Sequence, residues 1–414
     1  MQRVLILGKV WPEPGSSAAG SRTLQLMDVF KKHGCEIVFA SPATTNENSA
    51  SLTVYNANTK QVNINDSAFD DWLKQIKPDM VMFDRFTTEE QFGWRVHAFC
   101  PEALKLLDTI DLHCLRLARH QALKENREMQ TSDLLESDVA LRELASIYRC
   151  DISVMISLEE MKLLTQVFKV PEDILHYTPF LPESSEQRKR LQIPRYEERD
   201  YFISIGNFLH APNWDAVLQL KTKIWPLIRQ QIPDAKLHIY GAYASEKVYE
   251  LNAPAQGFLV MGRAENAMQV MLNARVCLAP LRFGAGMKGK LLEAMIAHTP
   301  SVTTWVGAEA MYGNHEWAGA ICSGDESFVD MAVKLFNEKK TWEEAVQNGL
   351  KILTDIFDTP KHTLLLIDKI KTVSQNLKAH RLGNFTGAML KHQNNAATKY
   401  MAMWIEEKNK IKNP

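Results

Sequence analysis

The residues best suited to chemistry lie in one stretch, VCLAPLRFGAGMKGKLLEAM, from Val276 to Met295. Gly284, Gly286 and Gly289 let backbone amides approach an anion closely, with Ala285 and Met287 between them, and Lys288 and Lys290 add two cations. An apolar run precedes this turn and a helical pattern, GKLLEAMIAH, follows it, so the partial positive charge of a helix start falls on the same spot. The spacing Gly284 to Gly289-Lys290 is that of a P-loop, but Leu291 stands where a P-loop needs Ser or Thr to hold magnesium, and the turn follows a late strand rather than the first of its domain. A phosphate or diphosphate cradle and a tight turn with its lysines in water remain, and the strand, the helix and the two lysines together favour the cradle. Lys288 is the first choice for the diphosphate. Lys290, in the first turn of the helix, either joins it or is solvated. Glu293, one turn on, can accept hydrogen bonds from ribose hydroxyls.

Other residues invite the same weighing. His113 follows the run KLLDTID at its carboxyl end, where a neutral imidazole can bond a sugar or organise an acceptor; it is also one of 12 histidines, any of which can be packed or at the surface. Asp111 can orient His113 or cap the next element. Gly15 and Gly20 flank SSAA after the first strand, in a loop that either approaches a phosphate or acceptor or simply turns the chain. Arg22, early in the following helix, meets an anionic acceptor or lies in water. Glu89 and Glu90 read as surface helix residues, and the charges in EQRKR (186–190) as a solvated linker.

These residues need a frame to bring them together, and the pattern supplies one. Short apolar runs at 4–8, 36–40, 79–84, 103–111 and 152–157 alternate with amphipathic stretches at 20–34, 69–76, 88–99 and 134–148. Apolar strands separated by helices predict a parallel sheet covered on both faces, a Rossmann-like unit. The alternation breaks at 179–200, which is rich in Pro, Ser and mixed charge. A second series follows, with strands at 201–206, 236–241, 257–262, 275–281 and 301–305 and helices at 213–232, 266–273 and 289–298, Asn213 capping the first. Beyond lie only helices, at 326–338, 342–356 and 362–380, then a tail with one more helix at 394–408. The expected division is an N-terminal domain over 1–182, a linker over 183–200, a C-terminal domain over 201–380 and a helical tail over 381–414. Two such domains set a cleft between the carboxyl ends of their sheets, the usual place for ligands.

Bulk composition narrows the class of function. The chain has 414 residues, 45% hydrophobic, with 48 basic against 49 acidic residues. That balance argues against a general nucleic-acid binder. No apolar run approaches the length of a membrane span, and the N-terminal run is too short for a signal peptide. The six cysteines are scattered without a CxxC pair, as in a reduced cytoplasmic protein, and suggest neither a disulfide framework nor a zinc site. Peripheral contact with the inner membrane face stays open because of Lys408, Lys410 and Lys412 in the tail, which read first as a frayed basic terminus.

The segment APLRFGAGMKGKLLEAMIAHTPSVTTWVGAEAM resembles the donor site of GT-B glycosyltransferases of the family-four, retaining type, in the subgroup that carries Gly-x-Gly-x-Lys-x-Lys before the glutamate: Gly284, Gly286, Lys288, Lys290 and then Glu293. GNFLHAPNWDAV (206–217) is similar to the first loop of that family's donor domain, WPEPGSSAAGSRTLQL (11–26) to the first loop of the acceptor domain, and LLDTIDLHCLR (106–116) to the segment with the active-site histidine. The resemblance, over about residues 1–360, implies two Rossmann-like domains facing across a cleft, a nucleotide-diphosphate sugar as donor, retention of anomeric configuration, and a last helix that returns to the first domain. It implies no cofactor and no metal, and the chain has no Asp-x-Asp. The acceptor would be a glycan, a lipid-linked molecule or a small molecule, in cell-surface polysaccharide or glycoconjugate synthesis. Two positions depart from the family. Ala285 stands where many members have a glutamate on the donor sugar. The donor-domain loop offers Gly206, Asn207 and His210 but no cation, so charge for the diphosphate must come from Lys288, Lys290 and from Arg263 or Arg282. Those departures keep two rivals in view: a binding module without catalysis, and a sugar-nucleotide 2-epimerase of the same fold, which would need acidic residues around the sugar.

Overall fold

Alternate residues of each buried run go to opposite faces of a sheet, and this builds two cores per domain. In the computed structural model, which describes residues 2–183, 188 and 190–412, Leu5, Leu7, Val38, Val81 and Phe83 pack on one side of the first sheet, and Val4, Ile6, Ile37, Phe39 and Met82 on the other. Its strands are β1 (Arg3–Leu7), β2 (Glu36–Ser41), β3 (Asn58–Gln61), β4 (Met80–Asp84), β5 (Leu104–Asp108), β6 (Ile152–Met155) and β7 (Leu175–Tyr177). They run parallel in the order β3-β2-β1-β4-β5-β6-β7. The second sheet contains β8 (Tyr201–Ile205), β9 (Leu237–Tyr240), β10 (Phe258–Gly262), β11 (Ala274–Ala279), β12 (Ser301–Thr303) and β13 (Gly319–Ile321), parallel in the order β10-β9-β8-β11-β12-β13. In register, Leu7 lies beside Phe83 and Asp84 beside Asp108, so the loops after β1, β4 and β5 emerge side by side at one edge.

Three strands have no counterpart in the expected pattern: β3, β7 and β13. Each is three or four residues long, β3 is exposed throughout, and none carries an apolar run. Helices His113–Lys124 and Leu158–Gln166 are likewise additional, and the single helix expected at 134–148 is two, Thr131–Leu135 and Asp138–Arg149. The helix expected at 213–232 begins instead at Ala211, with His210 at the cap position and Pro212 in the first turn. Its middle widens into a π-turn over Leu220–Ile224 just before Pro226, a residue with no amide to give to the helix. Asn213 is therefore no cap, and its side chain is turned to other work.

The boundary of the second domain also lies elsewhere. Phe357 belongs to that domain's core, but Leu366, Ile367, Ile370 and Val373 of helix Thr359–Gln375 pack into the first domain beside Val4 and Ile6. The return crossing thus falls near 358 and not at 381. The two crossings are stitched together where the Thr359 hydroxyl donates to the Pro182 carbonyl (2.7 Å). Helix Phe385–Lys412 continues along the first domain, with Asn384 donating to the Tyr148 carbonyl (2.8 Å) just ahead of it. Of the charge cluster at 186–190, Glu186, Gln187 and Lys189 lie outside the described residues. No helix among the described residues is long and apolar enough to cross a membrane.

Candidate active site between the two domains

The carboxyl ends of the two sheets face each other across a cavity of about 320 Å³, lined from both domains. The loop 284–289 forms one wall. Gly286 has φ +61°, and a side chain there would place its Cβ 2.8 Å from the Cβ of Asp111. Glycine is required because the second domain's backbone is pressed against the first domain's turn. The Gly286 amide does not face the cavity. It donates to Glu160 (2.8 Å), so it is not free for a phosphate, contrary to the sequence expectation. Gly284, Ala285, Met287, Gly289 and Glu293 do line the cavity.

Lys288 and Lys290 both reach it. The Lys288 amine donates to the Ala285 carbonyl (3.1 Å) and to that of Gly286. The Lys290 amine donates to Asn213 Oδ1 (2.6 Å), and Asn213 Nδ2 donates to the Asn207 carbonyl (2.8 Å). Lys290 is thus held in a network and not solvated. Gly206 is tight here for the same reason, since a Cβ on it would lie 2.7 Å from the Lys290 amine. Burial pulls both lysines down to about 8. Glu293 is pushed up to about 7 by burial, with Lys290 opposing. An anion in the cavity would favour the charged form of both amines.

Across the cavity, His113 opens helix His113–Lys124. Its Nε2 is 3.4 Å from Asp111 Oδ1, and its ring lies edge-on to Phe86 with centroids 5.2 Å apart. Burial holds the imidazole down to about 4, against the pull of Asp111, so it is neutral at pH 7. Asp111 also pairs with Arg116; burial acts to raise this carboxyl, and Arg116 with His113 outweighs it and keeps it low. The first amides of the helix, those of His113 and Cys114, donate to the two oxygens of Glu143 (3.0 and 2.9 Å), a buried carboxyl pushed up to about 7.

The cations missing from the donor-domain loop come from the first domain. Lys9, Arg85 and Arg116 line the cavity together with Lys288 and Lys290, against only Asp111 and Glu293 among the described lining residues. Lys9 follows β1, Arg85 follows β4 and Arg116 lies in the helix after β5. The sequence reading named none of the three; Lys9 and Arg85 stand just past the carboxyl end of a strand, the position that could have marked them, and Arg116 lies further on in the helix. Arg85 has φ +71° with ψ 158° and Ile110 has φ +63°, both also in the cavity wall. Such backbone is costly for residues with side chains and collects at functional sites.

Other expected residues lie elsewhere. Arg22 is fully buried, donates to Asp108 (3.4 Å) and to the Pro179 carbonyl, and does not line the cavity. Arg282 is committed to Asp215 (Nε 2.8 Å) outside the cavity. Arg263 is exposed at the rim, 3.4 Å from where a Cβ on Gly15 would lie. Gly15 lines the cavity, but Gly20 serves packing: a Cβ there would strike the Glu13 backbone at 2.5 Å. Glu89 is not at the surface. It is 3% exposed and bonded to Arg149 (2.9 Å), while Glu90 holds Arg142 (2.9 Å).

Residues 199–338 match the family described as Glycosyl transferases group 1. No curated protein matches the chain by sequence. Among solved structures, it is similar to Anabaena Alr3699/HepE in complex with UDP and glucose, at 11% identity and a TM-score of 0.63, over 90% of this chain and 100% of that one. It is also similar to sucrose-phosphate synthase from Thermosynechococcus elongatus, at 15% identity and a TM-score of 0.63, over 92% and 100%. Against S. aureus TarM in complex with fondaparinux, alpha-GlcNAc-glycerol and UDP, identity is 11% and the TM-score 0.56; 72% of this chain is covered but only 57% of TarM. The fold is GT-B, and within the second domain residues 199–338 are similar to the group 1 glycosyl transferases.

Proposed function

We propose that this protein moves a glycosyl group from a nucleoside-diphosphate sugar to an acceptor hydroxyl with retention of configuration. The observation that carries the reading is the convergence of Lys9, Arg85, Arg116, Lys288 and Lys290 on one cavity that a neutral His113 also lines. When the bond from the anomeric carbon to the β-phosphate oxygen breaks, its electron pair stays on the diphosphate. Fixed cations in a water-poor cleft stabilise that growing charge and need no rearrangement to do so. In this reading Lys288 and Lys290 hold the diphosphate, Glu293 accepts from ribose or sugar hydroxyls, and neutral His113 bonds the sugar or the incoming hydroxyl. The acceptor is a glycan, a lipid-linked molecule or a small molecule of cell-surface polysaccharide or glycoconjugate synthesis. Exposed Tyr400, Trp404 and Ile411 on the tail would suit peripheral contact with a membrane. HepE holds UDP and glucose in its crystal structure, so uridine-diphosphate sugars are the first donors to try.

A thermal-shift screen of nucleotide sugars tests this, because a ligand bound only by the folded state raises the melting temperature by mass action. The best donor, assayed for nucleotide release with and without EDTA, should turn over in both. No stabilisation by any nucleotide or nucleotide sugar would sink the proposal. The non-catalytic reading draws on Ala285, whose methyl group packs in the first domain's core where the family places a glutamate. It predicts stabilisation by nucleotide without turnover. The epimerase reading lacks its acids, since Asp111, one of only two acidic lining residues among those described, is tied to Arg116.

A further inference from the structure

Helix Leu158–Gln166 begins with a capping box that its glutamate does not complete. Ser157 is the N-cap, and its hydroxyl accepts the amide of Glu160 three residues on (3.2 Å). In the usual box that glutamate turns back to the cap's own amide. Here Glu160 points away, fully buried, and one oxygen accepts two amides: Leu112 at 3.0 Å and Gly286 at 2.8 Å. Leu112 immediately precedes His113, and Gly286 is two residues from Lys288. A single carboxyl oxygen therefore joins the turn carrying the imidazole in the first domain to the loop carrying the diphosphate lysine in the second. Lys288 donates to the Gly286 carbonyl, which extends the connection to the cation itself.

We propose that Glu160 is a positioning residue that sets the register of His113 against the Lys288 loop. A second fastening lies nearby. Arg119, on the His113 helix, donates to the Gly284 carbonyl (2.8 Å) and grips Glu309 with two bonds of 2.7 Å. Arg119–Glu309 joins side chains at the flank, whereas Glu160 bonds the backbone of both active segments and so transmits position directly. Its other oxygen is buried with no hydrogen-bond partner among the described residues, and burial together with Asp111 raises the carboxyl to about 8. A neutral acid with one accepting oxygen is what a glutamine side chain imitates.

This inference rests on the proposed transfer activity for its kinetic readout, but not for its structural one. The test compares Glu160→Gln and Glu160→Met with the wild-type chain in two measurements. Amide hydrogen exchange on the free protein reads the clamp itself: segments containing Leu112 and Gly286, in different domains, should lose protection together in E160M and keep it in E160Q. Turnover of the donor identified by thermal shift should fall about a hundredfold in kcat for E160M, as expected when reacting groups are displaced by about 1 Å, with UDP affinity within about threefold. E160Q should recover most of the loss. If a folded E160M keeps both segments protected, the clamp does not exist. If kcat and UDP affinity fall in parallel, or E160Q is as impaired as E160M, Glu160 is not a positioning residue. If the wild-type chain turns over no nucleotide sugar, the transfer reading fails, and the exchange experiment still decides the clamp.

Discussion

One oxygen of Asp111 faces His113 Nε2 at 3.4 Å while the other is taken by Arg116. The carboxylate is thus split between orienting the imidazole and neutralising a cation, and burial wins over its pull on the ring, which stays down at about 4. The unfolded value is near 6.5, so between about pH 6.5 and 4 the unfolded state binds more protons at this site, and stability rises with pH across that window. On acidification from pH 7 to 5, His113 alone removes about 2 kcal/mol by its shift. His113→Gln should therefore lose less melting temperature than wild type over the same change. Its kcat should fall by about 10²-fold, with nucleotide binding retained. A variant with unaltered acid sensitivity would mean that the ring is not held neutral by burial.

Lys288 and Lys290 carry a second pH signature. Burial sets both near 8 in the ligand-free cleft, so at pH 8 each amine is about half protonated. A diphosphate between them favours the charged form, so nucleotide binding should take up about one proton at pH 8. Calorimetry in buffers of different ionisation enthalpy measures this number directly. The uptake should shrink at pH 6, where both amines are already charged, and in Lys288→Met or Lys290→Met. Release of protons on binding would contradict the arrangement. Arg282→Ala is the contrasting case: its guanidinium is spent on Asp215 outside the cavity, so activity should stay within about twofold.

Much of this architecture was legible because buried parallel strands advertise themselves. VLIL and VMF are apolar throughout and LKLL is apolar but for Lys105, and each falls in a strand between other strands of its sheet. NTKQ at the sheet edge is fully exposed and has no pattern to read; it pairs only because Ser41 and its neighbours offer a free edge. The glycine–lysine turn was legible for the same local reason, since residue type and spacing lie within one segment. Its partners were not. Glu143 and Glu160 reach the site through contacts 30 and 126 residues away, which no local period encodes, and the strained backbone of Arg85 leaves no mark in residue type. Arg22 misled because an arginine early in a helix ordinarily faces water, and only the fold reveals Asp108 beneath it.

That pair supports a prediction about stability alone. Arg22 and Asp108 are both inside the first domain, and burial, aided by Asp84, raises Asp108 to about 6 despite its partner. Arg22→Met removes the counter-charge and leaves the Pro179 carbonyl without its donor. Breaking such a pair costs about 3 kcal/mol, softened here because Asp108 can take a proton. The melting temperature should drop, while kcat per folded molecule stays near wild type. A large kcat loss without destabilisation would return Arg22 to the acceptor site.

The tail is held by a similar device at the opposite surface. Arg381 donates from Nε to Asp151 Oδ1 and from Nη2 to Oδ2, both at 2.8 Å, and also to the Ala103 carbonyl. The second oxygen of Asp151 further accepts the Lys105 amide (2.9 Å), so the carboxylate joins β5, the start of β6 and the returning chain. Burial acts to raise Asp151, but Arg381, Lys105 and Lys391 outweigh it and hold the group below its ordinary value. The stability it supplies is therefore present above about pH 4 and lost as pH falls through the lowered folded value. Arg381→Met takes away the bidentate partner of a carboxylate whose side chain is 1% exposed, at a cost of about 3 kcal/mol near neutral pH. Below about pH 4 the difference between variant and wild type should narrow, because protonation removes the charge that Arg381 serves. The second domain takes no part in this contact, so thermal stabilisation by UDP should survive in the variant. Equal melting temperatures at pH 7 would show that the helix beyond Asn384, and not this ion pair, holds the tail to the first domain.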